Sequence, residues 1–233
     1  MTERPRETIG AVVQARVSSR RLAGKVLLPV CGRPLLQYVI ERVLHSCCRD
    51  SIVVATSVQE SDGLIEDFCR QMNVACYRGS LSDVAGRLLG AAVACGFDAF
   101  VRVNGDSPLL DPELINRGVD IFSTKQFDMV TNVWPRTFPP GQSVEIVSTD
   151  AFRRAYERMS RPEHREHVTK YFYDRHGEFR IYNFTADAEF GSVHLAVDTE
   201  DDFRRVKALV GKMDKPHWTY DVAAIVAMQR ESG

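Results

Sequence analysis

Apolar residues in the first half of the chain fall into short blocks separated by stretches with helical periodicity. Residues 9–13, 51–55 and 99–103 are nearly unbroken apolar runs, the pattern of parallel strands covered on both faces. Residues 74–77 form a weaker run of the same kind. Between the first two runs, Leu35, Leu36, Val39, Ile40, Val43 and Leu44 recur at helical spacing after Pro34, which suits a first helical turn. Residues 62–72 carry the stripe Leu64, Ile65, Phe68 and Met72. A third stripe, Val84, Ala85, Leu88, Leu89, Ala92 and Val93, follows a cap at Ser82 or Asp83. Asp111-Pro112 opens another helix through about residue 122. Strand and helix alternate, which predicts right-handed βαβ units and a parallel sheet.

The alternation loosens in the second half. Residues 129–133 and 144–147 are expected strands on either side of the loop WPRTFPPGQ. Helices are expected at 149–159 and 162–175, then strands at 179–184 and 193–197. Thr199 and Asp202 form a shortened capping box for a helix through about residue 210, and 220–229 is a last helix. No repeat or low-complexity linker divides the chain. The expectation is one α/β domain over 8–230, its sheet mostly parallel with helices on both faces. Residues 131–190 would be a β-containing elaboration of that domain.

Composition narrows the class. The chain has 233 residues, 44% hydrophobic and 26% charged, as in an ordinary globular protein. A net charge of -1 argues against a broad basic surface for nucleic acid. The opening MTERPRET has no apolar signal core, and no run reaches the ~18 apolar residues of a membrane span, so a cytoplasmic protein is expected. No cysteine belongs to a C-x-x-C pair, and neither a disulfide framework nor a zinc site is indicated.

The candidate chemistry starts behind the first apolar run, in QARVSSRRLAGK, residues 14–25. Arg16, Arg20, Arg21 and Lys25 gather there with Ser18 and Ser19. A cationic loop at the carboxyl end of a buried strand is where open α/β sheets bind anions. It is not a Walker A loop, having one glycine and no Ser or Thr after Lys25, and no G-x-G-x-x-G is present. Phosphate contact would fall to arginine forks and a lysine point charge. A solvated basic loop fits the same composition.

Asp106 ends the segment Asn104-Gly105-Asp106 behind the fourth strand, where a carboxylate can hold Mg²⁺ against phosphate oxygens. It could equally close an Asx turn or cap a helix. Asp198 ends the run 193–197 and, alone, reads as a neighbour of the helix cap. Two strand-terminal carboxylates beside a basic loop are a more specific signal than either one. Arg102 lies within an apolar strand, so it must pair with a carboxylate or face a ligand. Arg87 reads as an exposed helix arginine. His164 and His167, with Glu163 and Glu166, are read as a surface charge cluster in preference to a metal site.

Arg16-x-x-Ser19-x-Arg21-Leu22-x-Gly24-Lys25 resembles the signature loop of the sugar-acid cytidylyltransferases, which include the CMP-KDO and acylneuraminate synthetases. Gln14, RVNGDSPL at 102–109, HVT at 167–169 and VDTEDD at 197–202 are more similar still to the branch of the spore coat polysaccharide biosynthesis protein SpsF. The resemblance runs from about residue 9 to 210. It implies a Rossmann-like nucleotide-diphospho-sugar transferase fold. The reaction implied is transfer of CMP from CTP to the hydroxyl of an acidic sugar, of ulosonic or nonulosonic type, releasing pyrophosphate for surface polysaccharide synthesis.

In that resemblance Arg16 and Lys25 neutralise the triphosphate, Ser19 and Arg21 shape the loop, and Asp106 and Asp198 hold Mg²⁺. Arg16, Lys25, Asp106 and Asp198 are then the catalytic residues. Nucleotide contacts are implied at Gln14, Ala15, Arg16, Ser19, Arg21, Lys25, Arg78, Arg87 and Asn104, with Arg78-Gly79-Ser80 near cytosine. His167 would touch the sugar or the partner of a homodimer. Three features depart from the pattern: Ala23 replaces a usual proline, Gly86 replaces a commoner acidic residue, and 138–145 departs from a pattern that carries acidic residues near Pro140 and Ser143. The last segment is expected to form the acceptor pocket. The alternatives are a transferase for another NTP, a glycosyltransferase of related fold, or an inactive nucleotide-binding protein. A glycosyltransferase would be expected to carry D-x-D, whereas Asn104-Gly105-Asp106 has one acid.

Overall fold

A computed structural model describes residues 7–19, 21–124 and 126–231; Arg20 lies outside the described residues. The first half follows the predicted alternation. β1 (Ile9–Gln14) leads through the basic loop to a small antiparallel ribbon, β2 (Pro29–Val30) and β3 (Arg33–Pro34), which the sequence pattern did not predict. Pro34 stands at the cap position of α1 (Leu35–Leu44), one residue ahead of the helical turn expected for it. Then come β4 (Ile52–Ser57), α2 (Gly63–Gln71), β5 (Ala75–Gly79), α3 (Val84–Ala94), β6 (Ala99–Asn104) and α4 (Pro112–Phe122). Asp83 and Asp111 cap α3 and α4, each accepting a backbone N–H at 2.9 Å.

The second half adds β7 (Met129–Thr131), β8 (Glu145–Ser148), α5 (Thr149–Arg158), α6 (Pro162–Glu166), α7 (Lys170–Asp174), β9 (Ile181–Asn183), α8 (Glu200–Gly211) and α9 (Val222–Arg230). Apart from β2 and β3, the strands form one sheet in the order β5-β4-β1-β6-β8-β7-β9. β5, β4, β1 and β6 run parallel, and β8 is antiparallel to both β6 and β7. Alternate residues of β1 face opposite sides. Ala11 and Val13 join the core under α1, α2, α4, α8 and α9, while Val12 joins the core under α3, α5 and α7.

Two expectations change. Residues 193–197 do not enter the sheet. They form a strap whose backbone is stitched to loops: Leu195 N–H donates to Pro140 O (2.7 Å) and Val197 N–H to Asp106 O (2.9 Å). The helix expected over 162–175 is broken into α6 and α7, because Val168 adopts φ +28°. A β-branched residue there is strained, and its complete burial holds it in place. The capping box at Thr199 and Asp202 is present.

Buried Arg42 of α1 ties the C-terminal part to the sheet, donating to the carbonyls of Leu110, His217 and Tyr220. Burial lowers its guanidinium to about 10, opposed by Asp111. Among the described residues no helix is long and apolar enough to cross a membrane.

Candidate active site

The chain leaves β1 for β4 and β5 on one side and returns to β6 on the other. This makes the carboxyl ends of β1 and β6 the switch point, where open α/β sheets bind ligands. A cleft of about 950 Å³ opens there. Gln14, Ala15 and Arg16 leave β1 along its floor, and Asn104, Gly105 and Asp106 leave β6 beside them. The two turns touch: a Cβ on Gly105 would lie 2.8 Å from Gln14 O, so only glycine fits.

Lys25 reaches into the cleft wall. Its ammonium donates to Asp106 Oδ2 (2.7 Å), Asp198 Oδ1 (3.0 Å) and Val197 O (2.6 Å). These partners occupy all three of its donors. Arg21 adds a second cation to Asp198 at 2.6 Å, so two cations face two carboxylates. The strap explains this convergence. By donating Val197 N–H to Asp106 O, it sets Asp198 beside Asp106 although they are 92 positions apart in sequence. Lys25 can therefore meet a phosphate only by releasing at least one of these partners.

The basic loop is held from below by a residue the sequence reading treated only as a helix start. Asp62 is wholly buried; its Oδ1 accepts Val17 N–H at 2.7 Å, and its Oδ2 accepts Ser57 N–H at 3.1 Å together with the Ser57 hydroxyl. A carboxylate one residue ahead of α2 carries no sequence signal separating it from an ordinary cap. Arg16 spans the cleft to Glu166 of α6 at 3.0 Å. Ser18, Ser19, Glu166 and the exposed His167 also line the cleft.

The expected nucleotide residues divide. Arg87 lines the cleft but is buried, contrary to the reading as an exposed helix arginine. It donates to Ser80 O at 2.6 Å, and its Nε has no partner among the described residues. Burial, reinforced by nearby Arg16, lowers its pKa. Asn104 lines the cleft with its Oδ1 buried and unpartnered. Arg78 is not brought to the cleft: it donates to Ser57 O (3.1 Å) and Gln59 O (2.8 Å) and pairs with Glu66 (3.0 Å).

Gly86 also has a local reason. A Cβ there would meet Asp83 Oδ2 at 2.6 Å and Tyr156 Oη at 2.8 Å. The space serves the Tyr156 hydroxyl, which donates to Asp83 at 2.6 Å. Although burial opposes it, the Tyr156, Gly86 and Arg165 donors hold the Asp83 carboxyl below its usual range.

Arg102 resolves as a paired residue. It meets Glu145 across the β6–β8 register at 2.5 Å and donates to Gln14 Oε1 at 3.2 Å. His164 is buried, not part of a surface cluster, with Nε2 3.0 Å from Asp174. One ring nitrogen of His164, one oxygen of Glu163 and one of Asp174 lie within 4.8 Å of one another, and Lys170 already holds Asp174 at 2.7 and 2.8 Å.

Comparison with known proteins gives the family and the fold. The cytidylyltransferase family model matches residues 11–217. The spore coat polysaccharide biosynthesis protein SpsF of Bacillus subtilis is 30% identical over 209 residues, 86% of this chain and 85% of that protein. A cytidylyltransferase structure from Leptospira borgpetersenii superposes with a TM-score of 0.92 at 26% identity, covering 97% of this chain and 95% of that one. CMP-2-keto-3-deoxy-manno-octonic acid synthetase, solved with CTP, shares the fold with a TM-score of 0.68 at 18% identity, covering 88% and 99%. A nucleotidyltransferase fold, a cleft at its switch point and a match over most of the length place the chain in the cytidylyltransferase family.

Proposed function

We propose that the chain transfers CMP from CTP to a hydroxyl of an acidic sugar of ulosonic or nonulosonic type, releasing pyrophosphate, in the synthesis of a surface polysaccharide. The observation that carries this reading is the convergence of Asp106 and Asp198 on one cationic point beside the basic loop. Kinship to SpsF supports the polysaccharide role, and the signature loop shared with sugar-acid synthetases supports the acidic acceptor.

Two carboxylates that both reach a single ammonium at 2.7 and 3.0 Å form an all-oxygen donor set suited to Mg²⁺. Bound there, Mg²⁺ would polarise the α-phosphate and lower the pKa of the attacking hydroxyl. Asp106 and Asp198 hold the ion. Lys25, released from one carboxylate, and Arg16, released from Glu166, neutralise the triphosphate and the departing pyrophosphate. Ser19 and Arg21 shape the loop around them. The chemistry then rests on positioning and charge stabilisation with no covalent intermediate.

The same reading assigns 8–230 to one cytoplasmic domain, with 131–190 supplying the acceptor pocket and the contact of a homodimer. Light scattering on the purified protein tests the dimer. Pyrophosphate release with each NTP against a panel of sugar acids, with and without Mg²⁺, tests the reaction. Release only with CTP, an acid sugar and Mg²⁺ is expected. No release with CTP and any acceptor, together with no change of melting temperature on adding CTP, would overturn the assignment.

A further inference from the structure

On the sheet face carrying Val12, Phe100, Met129 and Val147, the next side chains toward the cleft are Gln14, Arg102, Thr131 and Glu145. These end the apolar core with a polar layer. Both oxygens of Glu145 are taken, Oε2 by Arg102 Nη1 and Oε1 by the Tyr173 hydroxyl, each at 2.5 Å. Thr169 Oγ1 accepts from the same Nη1 at 3.4 Å, and Tyr173 is held in turn by Thr131 at 3.0 Å. The carboxyl of Glu145 is 4% exposed and the guanidinium side chain 15%, so the pair is buried and fixed.

Anchored at one end, the guanidinium presents Nε to Gln14 Oε1 at 3.2 Å. Arginine has donors and no acceptor, so the amide branch that meets it must be the oxygen. The amide nitrogen is then the free branch. Gln14 lines the cleft, and no group among the described residues accepts from its Nε2.

The geometry points to Arg102 as a positioning residue that holds the Gln14 amide with its NH₂ toward the cleft, making Gln14 a donor to an oxygen of the bound ligand. The identity of that ligand rests on the reading above: the oxygen belongs either to the nucleotide or to the acid sugar.

Gln14→Glu separates this from a structural role. It keeps an oxygen for Arg102 and replaces the cleft-facing NH₂ with a second oxygen. The expected result is an unchanged or higher melting temperature with at least a tenfold weakening of one ligand. A weaker CTP affinity by calorimetry with Mg²⁺ assigns the oxygen to the nucleotide. A raised KM for 3-deoxy-manno-octulosonate or N-acetylneuraminate in the pyrophosphate assay assigns it to the acceptor. Values within twofold of wild type for both would overturn the proposal.

Arg102→Lys keeps a cation for Glu145 but withdraws Nε, and should raise Kd or KM for the same ligand while kcat stays within about threefold. A ligand-free readout keeps the two readings apart. The ¹⁵N side-chain amide signal of Gln14, identified by its loss in Gln14→Glu, should exchange rapidly with water and shift in Arg102→Lys. A slowly exchanging signal indifferent to Arg102→Lys overturns the positioning role, whereas a wild-type protein that binds no CTP overturns the functional reading alone.

Discussion

The Lys25 cluster and the Arg102 cluster both pair cations with carboxylates at the carboxyl ends of β1 and β6; their cations are similarly covered, Lys25 at 10% and Arg102 at 15% exposure, but their carboxylates differ in depth. Around Lys25, the carboxylates of Asp106 and Asp198 are 28% and 23% exposed, and Arg21 is 64% exposed. Around Arg102, the carboxylate is nearly sealed and shares its oxygens with Tyr173, whose phenol pKa is raised by burial and by that carboxylate. Ion pairs in contact with solvent exchange partners at little cost, whereas opening a buried pair leaves an uncompensated charge. Under the proposed reaction the more exposed carboxylates of the first cluster would let Lys25 go to phosphate and take up the metal. The second is suited to hold a frame still while that happens.

Breaking the buried cluster should have the largest effect. Glu145→Ala leaves Arg102 and Tyr173 without their shared acceptor and should lower unfolding free energy by about 3–5 kcal/mol, read from urea denaturation. Asp106→Asn should show the reverse profile, with kcat down at least about a hundredfold, roughly 3 kcal/mol in the barrier, and stability within about 1 kcal/mol of wild type. Were Asp106→Asn as destabilising as Glu145→Ala, the contrast between a working and a framing cluster would be wrong.

Asp62→Asn sharpens the comparison from beneath the loop. It keeps the size of the side chain but weakens the hold on Val17 and Ser57. A loss of about 1–3 kcal/mol is expected, with KM for CTP raised more than kcat is lowered.

The smallest effect concerns Asp202, which accepts the N–H groups of Asp198 and Thr199 and so fixes the carboxylate-bearing turn. Burial opposes its ionisation, but the Thr199 hydroxyl and N–H, the Asp198 N–H and Arg205 outweigh it and bring the pKa to about 2. A folded value below the unfolded ~3.9 means a contribution fully present above about pH 4 and lost as pH falls through about 2. Asp202→Ala should cost about 1 kcal/mol at neutral pH. It should also flatten the loss of stability across that acidic window, as measured by urea midpoints at pH 5, 3 and 2.

The Lys25 cluster was far more legible in the sequence than the Arg102 cluster. A compact apolar run followed by RVSSRRLAGK marks a strand and its loop within fifteen or so residues, and Asp106 and Asp198 each end an apolar run. Arg102 announced only a need for a partner. Its match to Glu145 depends on the antiparallel register of β8 against β6, which no local pattern encodes. The same limit explains the strap, because a short, mostly apolar run looks alike whether it pairs in a sheet or binds two loops. Helical spacing across 162–175 could not reveal that tertiary burial forces Val168 into a turn. Arg78 failed for a related reason: adjacency in sequence to the expected base loop did not decide which way its side chain would leave β5.

The strap also sets when this site can exist during synthesis. While the chain is emerging from the ribosome, the sheet from β1 through β6 and the whole basic loop are available long before residue 197 is made. Until then Lys25 has one of its two carboxylates and none of its carbonyl partner. The two acids are brought together by a late, long-range contact, so a nascent or C-terminally truncated chain carries the basic loop without one of the two carboxylates that the proposed reaction uses.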